Sequence, residues 1–214
     1  MLTAEDVSRL LAPFGVLLDE RQLGNLLAYL DLLLRWNERI NLTAVRRPEE
    51  AIRRHFGESL FLWRWIQLRG TLLDVGSGAG FPGLALKLLA DELAVTLLEP
   101  AAKKRSFLKE VVRRCSLKEV DVRGERLDQF GLSPREARFD LVTVRAVGGL
   151  GDLIPIATRR LATTGKLCLW IGREQCPAVV SGSVPSALAW REPIAIPLSR
   201  NRVLLIGERT AGDA

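Results

Sequence analysis

The stretch TLLDVGSGAGFPGLAL, residues 71–86, limits the fold more than any other part of this chain. A short apolar run ends at Val75, four glycines fall within the next eight positions, and a second apolar run follows Pro82. A buried strand, a tight glycine turn and a helix, in that order, form the opening unit of a parallel α/β sheet. Two fingerprints share the glycines. Gly76, Gly78 and Gly80 spell GxGxG behind Asp74, whereas Gly78, Gly80 and Gly83 spell GxGxxG, the pattern of dinucleotide-binding turns.

The pattern on either side of that turn differs. Residues 1–70 read as helices: Thr3 with Asp6 and Asp19 with Gln22 mark helix starts, leucines recur at helical spacing through LGNLLAYLDLLLRWNERI, and Pro48 opens a further helix. Trp36, Trp63 and Trp65 fall among these apolar positions and are expected in the core. From residue 71 strands and helices alternate. TLLDV, LAVTLLE, EVDVRG, RFDLVTVRAV and GKLCLWIG read as strands, with helices after the first, second and fourth, a short helical segment at ERLDQF, and a terminal hairpin from ALAWREPIAI and NRVLLIGE. The expectation is a Rossmann-like sheet domain over 71–214, seven-stranded and mostly parallel, with a helical extension over 1–70 packed on it.

Charge points to a partner. The chain carries a net +6, and residues 100–126 alone hold 9 basic and 4 acidic side chains, while residues 1–70 are nearly balanced at 10 and 9. A basic surface beside a ligand-binding turn favours RNA or DNA. No run of about 18 uncharged apolar residues occurs, which argues against a membrane span. The start MLTAEDVSRL lacks the basic region of a signal peptide. Three widely spaced cysteines without a CxxC argue against a zinc site or disulfide framework and fit a reducing cytoplasm.

Two cofactors compete for the turn. A dinucleotide sets its pyrophosphate on free backbone N–H groups at a helix N-terminus, where this chain has Pro82. S-adenosylmethionine brings no phosphate but a ribose, an ammonium and a sulfonium, which suit acidic neighbours. Asp74, expected to face the loop, supplies one, and the loop is longer than in a dinucleotide turn; Glu99, closing the second strand, would meet the ribose of either cofactor and does not discriminate. The GxGxG reading therefore prevails, leaving an NAD(P)-binding oxidoreductase and a noncatalytic RNA-binding module as alternatives. Base C5 methylation needs a cysteine nucleophile, and methylation of an exocyclic amine uses an Asp/Asn-Pro-Pro-aromatic segment. The fourth strand ends VTVRAVGG instead. Guanine N7 presents an in-plane lone pair and loses no proton, so in-line placement suffices. Arg145, ending that strand, is the cation expected to face the site, for a cofactor carboxylate or a phosphate.

The segments RWNERINLTAV, HFGESL, LLDVGSGAGFPGLAL, KKRSFLKEV and FDLVTVRAV, in this order, closely resemble the bacterial ribosomal RNA small subunit methyltransferase G family, formerly glucose-inhibited division protein B. The resemblance covers nearly the whole chain and includes the Phe-Pro-Gly that other methyltransferases lack. It implies a class I S-adenosylmethionine-dependent methyltransferase acting on guanine N7 of 16S ribosomal RNA. Its partner would be the small ribosomal subunit, and the protein itself is expected to be a cytoplasmic monomer. By matched motif it implies cofactor contacts at Gly76, Gly78, Phe81, Leu127, Asp128 and Arg145, with Glu99 at the ribose. Asn41, His55, Lys103 and Lys104 match segments near the RNA side. No catalytic residue is assigned beyond the candidate Arg145. Two positions depart: Glu58 replaces the usual Asp, and Ile171 stands where many members carry a lysine.

Overall fold

A computed structural model describes residues 2–130, 138–146, 148–181 and 187–209. The first helices begin where their caps demand. The Thr3 side chain accepts from the Asp6 N–H while Asp6 reaches back to Thr3, starting α1 (Ala4–Leu11). Asp19 and Gln22 do the same for α2 (Glu20–Asn37). Each reciprocal pair satisfies two of the backbone donors that a helix start leaves open. A further helical run opens at Pro48. It comprises α3 (Pro48–Ala51), a widened π-helical turn (Ile52–Gly57), α4 (Glu58–Leu60) and a tighter turn (Phe61–Arg64).

The sheet follows. Its elements are β1 (Thr71–Val75), α5 (Gly83–Leu89), β2 (Ala94–Leu98), α6 (Ala102–Arg114), β3 (Val120–Arg123), β4 (Phe139–Arg145), α7 (Leu150–Arg159), β5 (Leu161–Gly172), α8 (Cys176–Val180), β6 (Leu188–Trp190), β7 (Ile194–Ala195) and β8 (Arg202–Arg209). The strand order is β3-β2-β1-β4-β5-β8-β6, with the two-residue β7 on β8. The first five strands in that order run parallel, and β8 and β6 are antiparallel. The seven-strand path agrees with the sequence reading, and β7 adds an eighth strand to it. The order reverses between β2 and β4 about β1, so the crevice beyond the ends of β1 and β4 is the ligand position.

Some expectations are corrected. ERLDQF makes one hydrogen-bonded turn, closed by Gln129 and Phe130 N–H onto the Arg126 carbonyl, instead of a helix. Trp63 and Trp65 are exposed at 44% and 41%, so helical spacing misled at the end of that run. The run tightens over Phe61–Arg64, which changes the period and turns both indoles outward. Trp36 is half-buried, packs edge-on against Phe107 and donates its Nε1–H to Glu110 at 3.0 Å.

One apolar cluster runs through the N-terminal helices and into the sheet, joining Leu11, Tyr29, Leu33 and Phe56 to Leu72, Leu84, Phe107 and Leu108. A second fills the other face, between α7 and the strands. Tyr29, fully buried on α2, is the contact that reaches furthest: its hydroxyl donates to the Ala79 carbonyl inside the glycine turn. Gly80 has φ +87°, and a Cβ there would stand 2.2 Å from the Tyr29 Oη. Gly80→Ala should therefore destabilise the protein by about 3 kcal/mol through combined backbone strain and overpacking. Urea unfolding checks this, and a loss below about 1 kcal/mol would show that the helices yield at no cost.

Candidate active site

The glycine turn is built by its neighbours. The Ser77 N–H donates to the Leu98 carbonyl at 3.0 Å and its hydroxyl to the Asp74 carbonyl at 3.0 Å, fastening the turn to both β1 and β2. Gly76 and Gly78 have φ +68° and +56°, a left-handed backbone that glycine adopts without steric cost. Glu99 lies directly after β2 and is 5% exposed. Its two carboxylate oxygens accept from the Gly78 N–H at 2.9 Å and the Ala101 N–H at 2.8 Å. Glu99 thus braces the turn from behind.

Asp74 does not face the loop as expected. It is fully buried and accepts from the Thr143 hydroxyl at 2.8 Å and the Gly83 N–H at 3.2 Å. This bond occupies the first N–H of α5. Pro82 has no N–H, and the Leu84 N–H is taken by the Gly80 carbonyl. The helix start where a dinucleotide would set its pyrophosphate is thereby filled by the chain's own carboxylate.

Two clefts meet at Gly76. The first, of 410 Å³, has apolar walls from Leu98, Leu127 and Ile156 and an acidic rim from Glu125, Asp128 and Asp152. Apolar faces suit a purine, and carboxylates suit ribose hydroxyls and an ammonium. The second, of 440 Å³, is lined by Gly76, Gly78, Phe81, His55, Lys104 and Arg145, among others. A ligand laid across the bare backbone of Gly76 would enter both, which fits S-adenosylmethionine with its adenosine in the first cleft. The structure therefore brings Gly76, Gly78, Phe81, His55, Lys104 and Arg145 to one cleft and Leu127 and Asp128 to the other. Asn41, Lys103 and Glu99 line neither; the first two are exposed beside residues that do, and Glu99 is buried behind the turn.

The wall of the second cleft comes from the N-terminal helices. The Phe81 ring lies between Tyr29, stacked at 5.3 Å, and His55, stacked at 4.9 Å. His55 Nε2 pairs with the Thr43 hydroxyl at 2.7 Å. Burial, helped by Arg145, Arg54 and Arg202, pushes the imidazole down to about 3, so it is neutral at physiological pH. The loop carrying Thr43 is organised by Asn37, which the sequence reading passed over in favour of Asn41. Its Oδ1 accepts from the Leu42 and Thr43 N–H groups, both at 2.9 Å, and its Nδ2 donates to the Val45 carbonyl at 3.2 Å. The available signal was an asparagine closing a leucine-rich helix just before a loop, where its amide can serve two donors and one acceptor.

Arg145 reaches the site but spends its donors on the protein. Its guanidinium donates to the carbonyls of Arg54 and His55, to the Ser59 hydroxyl at 2.9 Å and to Glu58 at 3.0 Å. The widened π-helical turn presents those two carbonyls. With its side chain 9% exposed, Arg145 forms the frame of the cleft, and four of its donor positions are unavailable to a cofactor carboxylate. Burial lowers it to about 10, which leaves it charged at neutral pH. The second Glu58 oxygen takes Arg202 at 2.5 Å. Arg202 pairs across from Gly172, beside the buried Ile171, and so supplies the cation on the wall where Ile171 does not. All three cysteines are buried and their thiols are held above the ordinary range by burial, Cys168 to about 12. None is a thiolate nucleophile. Among the described residues no cluster of His, Cys, Asp and Glu is arranged for a metal.

Burial raises the Asp74 carboxyl from 3.8 to about 6. A raised pKa in the folded state means the protonated form is favoured there. The associated stability is complete below about pH 4 and is lost as the pH rises through 6. Relative to Asp74→Asn, which does not titrate, the wild-type protein should lose on the order of 3 kcal/mol between pH 4 and 7. Urea unfolding across that range tests it, and a pH-independent difference would overturn the assignment.

The family model described as rRNA small subunit methyltransferase G matches residues 22–179. A ribosomal RNA small subunit methyltransferase G from Chloroflexus aggregans is 38% identical over 201 residues, covering 90% of this chain and 84% of that protein. Its counterpart from Syntrophotalea carbinolica is 33% identical and covers 96% and 98%. Among solved structures, an S-adenosylmethionine-dependent methyltransferase from Aquifex aeolicus aligns with a TM-score of 0.60 at 14% identity, covering 79% of this chain and 97% of that one. A ribosomal protein L11 methylase from Lactobacillus delbrueckii gives 0.59 at 18%, covering 74% and 80%. These two share the class I methyltransferase fold expected from the strand order. Matched over most of its length by the family model and by relatives more than 30% identical, the chain belongs to the rRNA small subunit methyltransferase G family.

Proposed function

We propose that this protein transfers the methyl group of S-adenosylmethionine to N7 of a guanine in the 16S ribosomal RNA of the small subunit. The carrying observation is the pair of clefts joined at Gly76, one fitted to adenosine and the other walled by Arg54, Lys104, Arg145 and Arg202. The cofactor supplies an electrophilic methyl on a sulfonium. Gly76 and Gly78 let it approach the backbone, Leu127 and Asp128 hold its adenosine end, and Phe81 shapes the passage between the clefts. Glu99 acts by fixing the Gly78 N–H, with its ribose contact a part of the same proposal. The RNA side comprises Asn41, His55, Lys103 and Lys104.

The chemistry asks little of acids and bases. N7 attacks with a lone pair it already has, and no proton leaves, so direct in-line transfer needs orientation alone. The cleft matches that demand: its histidine is neutral, and the chain's thiols are buried and protonated. A covalent intermediate has no nucleophile here. We take the protein to be a cytoplasmic monomer with residues 1–70 packed on a 71–214 methyltransferase domain; no helix among the described residues is long and apolar enough to cross a membrane.

The direct test incubates pure protein with methyl-labelled cofactor and unmodified small subunits, then maps N7-methylguanine by chemical cleavage of the RNA. Label at a single 16S guanine is expected. Stabilisation by NAD(P)H and not by S-adenosylhomocysteine would favour an oxidoreductase, and RNA binding without transfer would favour a noncatalytic module. Lys103 is exposed and Lys104 lines the cleft. Replacing both by glutamine should weaken RNA binding and reduce the slope of log affinity against log salt by about 1.4, for two single-strand phosphate contacts. An unchanged slope would leave the two lysines as a solvated helix face.

A further inference from the structure

A third cleft, of 550 Å³, adjoins the second and shares Arg54 with it. One wall carries Arg9, Arg47 and Arg53, and the other carries Pro197 and Leu198. The latter wall is a tight turn: the Ser199 N–H donates to the Ile196 carbonyl at 3.1 Å, with Pro197 and Leu198 between them. Leu198 has φ +62°. Proline followed by a left-handed residue is the pattern of a type II turn, whose second central position favours glycine. Leucine there is strained by its Cβ, and it is also 67% exposed, so the protein recovers nothing by burying it. A backbone outlier of this kind beside a cleft is the observation from which a binding role is argued.

The turn is also rigidly tied to the site. The Arg202 N–H donates to the Ser199 hydroxyl at 3.1 Å, and the Arg202 guanidinium holds Glu58. Both oxygens of Glu58 are consumed by Arg145 and Arg202, so it does not neutralise the neighbouring cleft. Of the other charged groups there, Arg9 pairs with Asp6 at 2.8 Å, Glu50 pairs with Arg54 at 2.7 Å, and Glu49 approaches Arg47 at 3.9 Å. Arg53 is exposed and forms no ion pair among the described residues. The cleft therefore combines an apolar turn with one arginine, Arg53, beyond those matched by carboxylates.

We propose that this third cleft holds a nucleotide flanking the target guanine. Leu198 packs against its base or ribose, and Arg47 and Arg53 meet its phosphates. A nucleotide combines an apolar face with a fixed negative charge, and an RNA strand leaving the second cleft past Arg54 enters the third directly. The proposal rests on the RNA methyltransferase reading and adds a second contact point that sets which RNA is accepted.

Leu198→Gly and Leu198→Asn both fit the left-handed turn better than leucine, so neither variant should melt below the wild-type protein, and Leu198→Gly should melt a few degrees higher. Both should weaken binding of a 16S RNA fragment carrying the target guanine at least fivefold, read by fluorescence anisotropy, and raise the KM for small subunits to a similar degree. Affinity for S-adenosylhomocysteine should not change. Arg53→Gln should weaken the same RNA binding without lowering the melting temperature. Fragment binding within twofold of wild type in the Leu198 variants overturns the proposal. An effect confined to assembled subunits also overturns it, by assigning the turn to a ribosomal protein. Failure of the underlying reading would be visible separately, as wild-type protein that transfers no methyl to RNA.

Discussion

The stack of Tyr29, Phe81 and His55 is the contact on which the rest of the site depends. Phe81 belongs to the glycine turn, and the rings on its two faces belong to the N-terminal helical region. Phe56 meets both Tyr29 and Phe81 edge-on, at 5.1 and 5.0 Å, and completes a dry aromatic block. Such contacts are worth about 0.5–1.5 kcal/mol each beyond burial, and their geometric effect is larger. The Tyr29 hydroxyl holds the Ala79 carbonyl in place, so the conformation of the turn is set partly by α2. The N-terminal helices thus help to shape the glycine turn as well as packing beside it.

A second link crosses the same boundary through charge. Arg145, Glu58 and Arg202 join the end of β4, the start of α4 and the start of β8. Removing three charged groups from water is costly, and their mutual attraction offsets that only with good geometry and full hydrogen bonding. Here Glu58 uses both oxygens, and Arg145 also serves two helix carbonyls. The Trp170 indole donates to the Glu58 carbonyl at 2.7 Å, so β5 joins as well. The network fixes the position of four elements around one cleft, which an apolar contact of similar size would not orient as narrowly.

The sequence was most informative where local rules agree with one another. Helix starts at Thr3 and Asp19 followed from their caps, and the alternation from residue 71 announced the parallel sheet. Gly76, Phe81, Leu127 and Asp128 all line one cleft or the other. What periodicity could not show is the direction in which polar groups turn. Asp74 points beneath the turn because Thr143, sixty-nine residues later, stands beside it on β4. Arg145 spends its donors on the protein because a widened helical turn presents carbonyls to it. Trp63 and Trp65 are exposed because the helical period changes beneath them. Each of these outcomes is set by a partner distant in sequence or by a shift in backbone geometry, and neither leaves a trace in local spacing.

The glycines carry the same lesson to its end, because their spacing has more than one cause. Gly78 has open space at its Cβ position, 3.8 Å from the Gly76 carbonyl, and is required by its left-handed backbone where Glu99 binds the N–H. Gly80 leaves room for the tyrosine hydroxyl of α2. Gly83 lets α5 lie against the sheet, since a Cβ there would be 2.7 Å from Leu97 and 2.8 Å from Asp74. The literal GxGxxG is therefore met by three separate demands, one of backbone conformation and two of packing. A dinucleotide turn needs its glycines for close approach to a pyrophosphate at free helix N–H groups. Here the Gly83 N–H is already bound to Asp74. The identity of the cofactor follows from which backbone donors remain free, and that depends on a buried carboxylate as much as on the glycines.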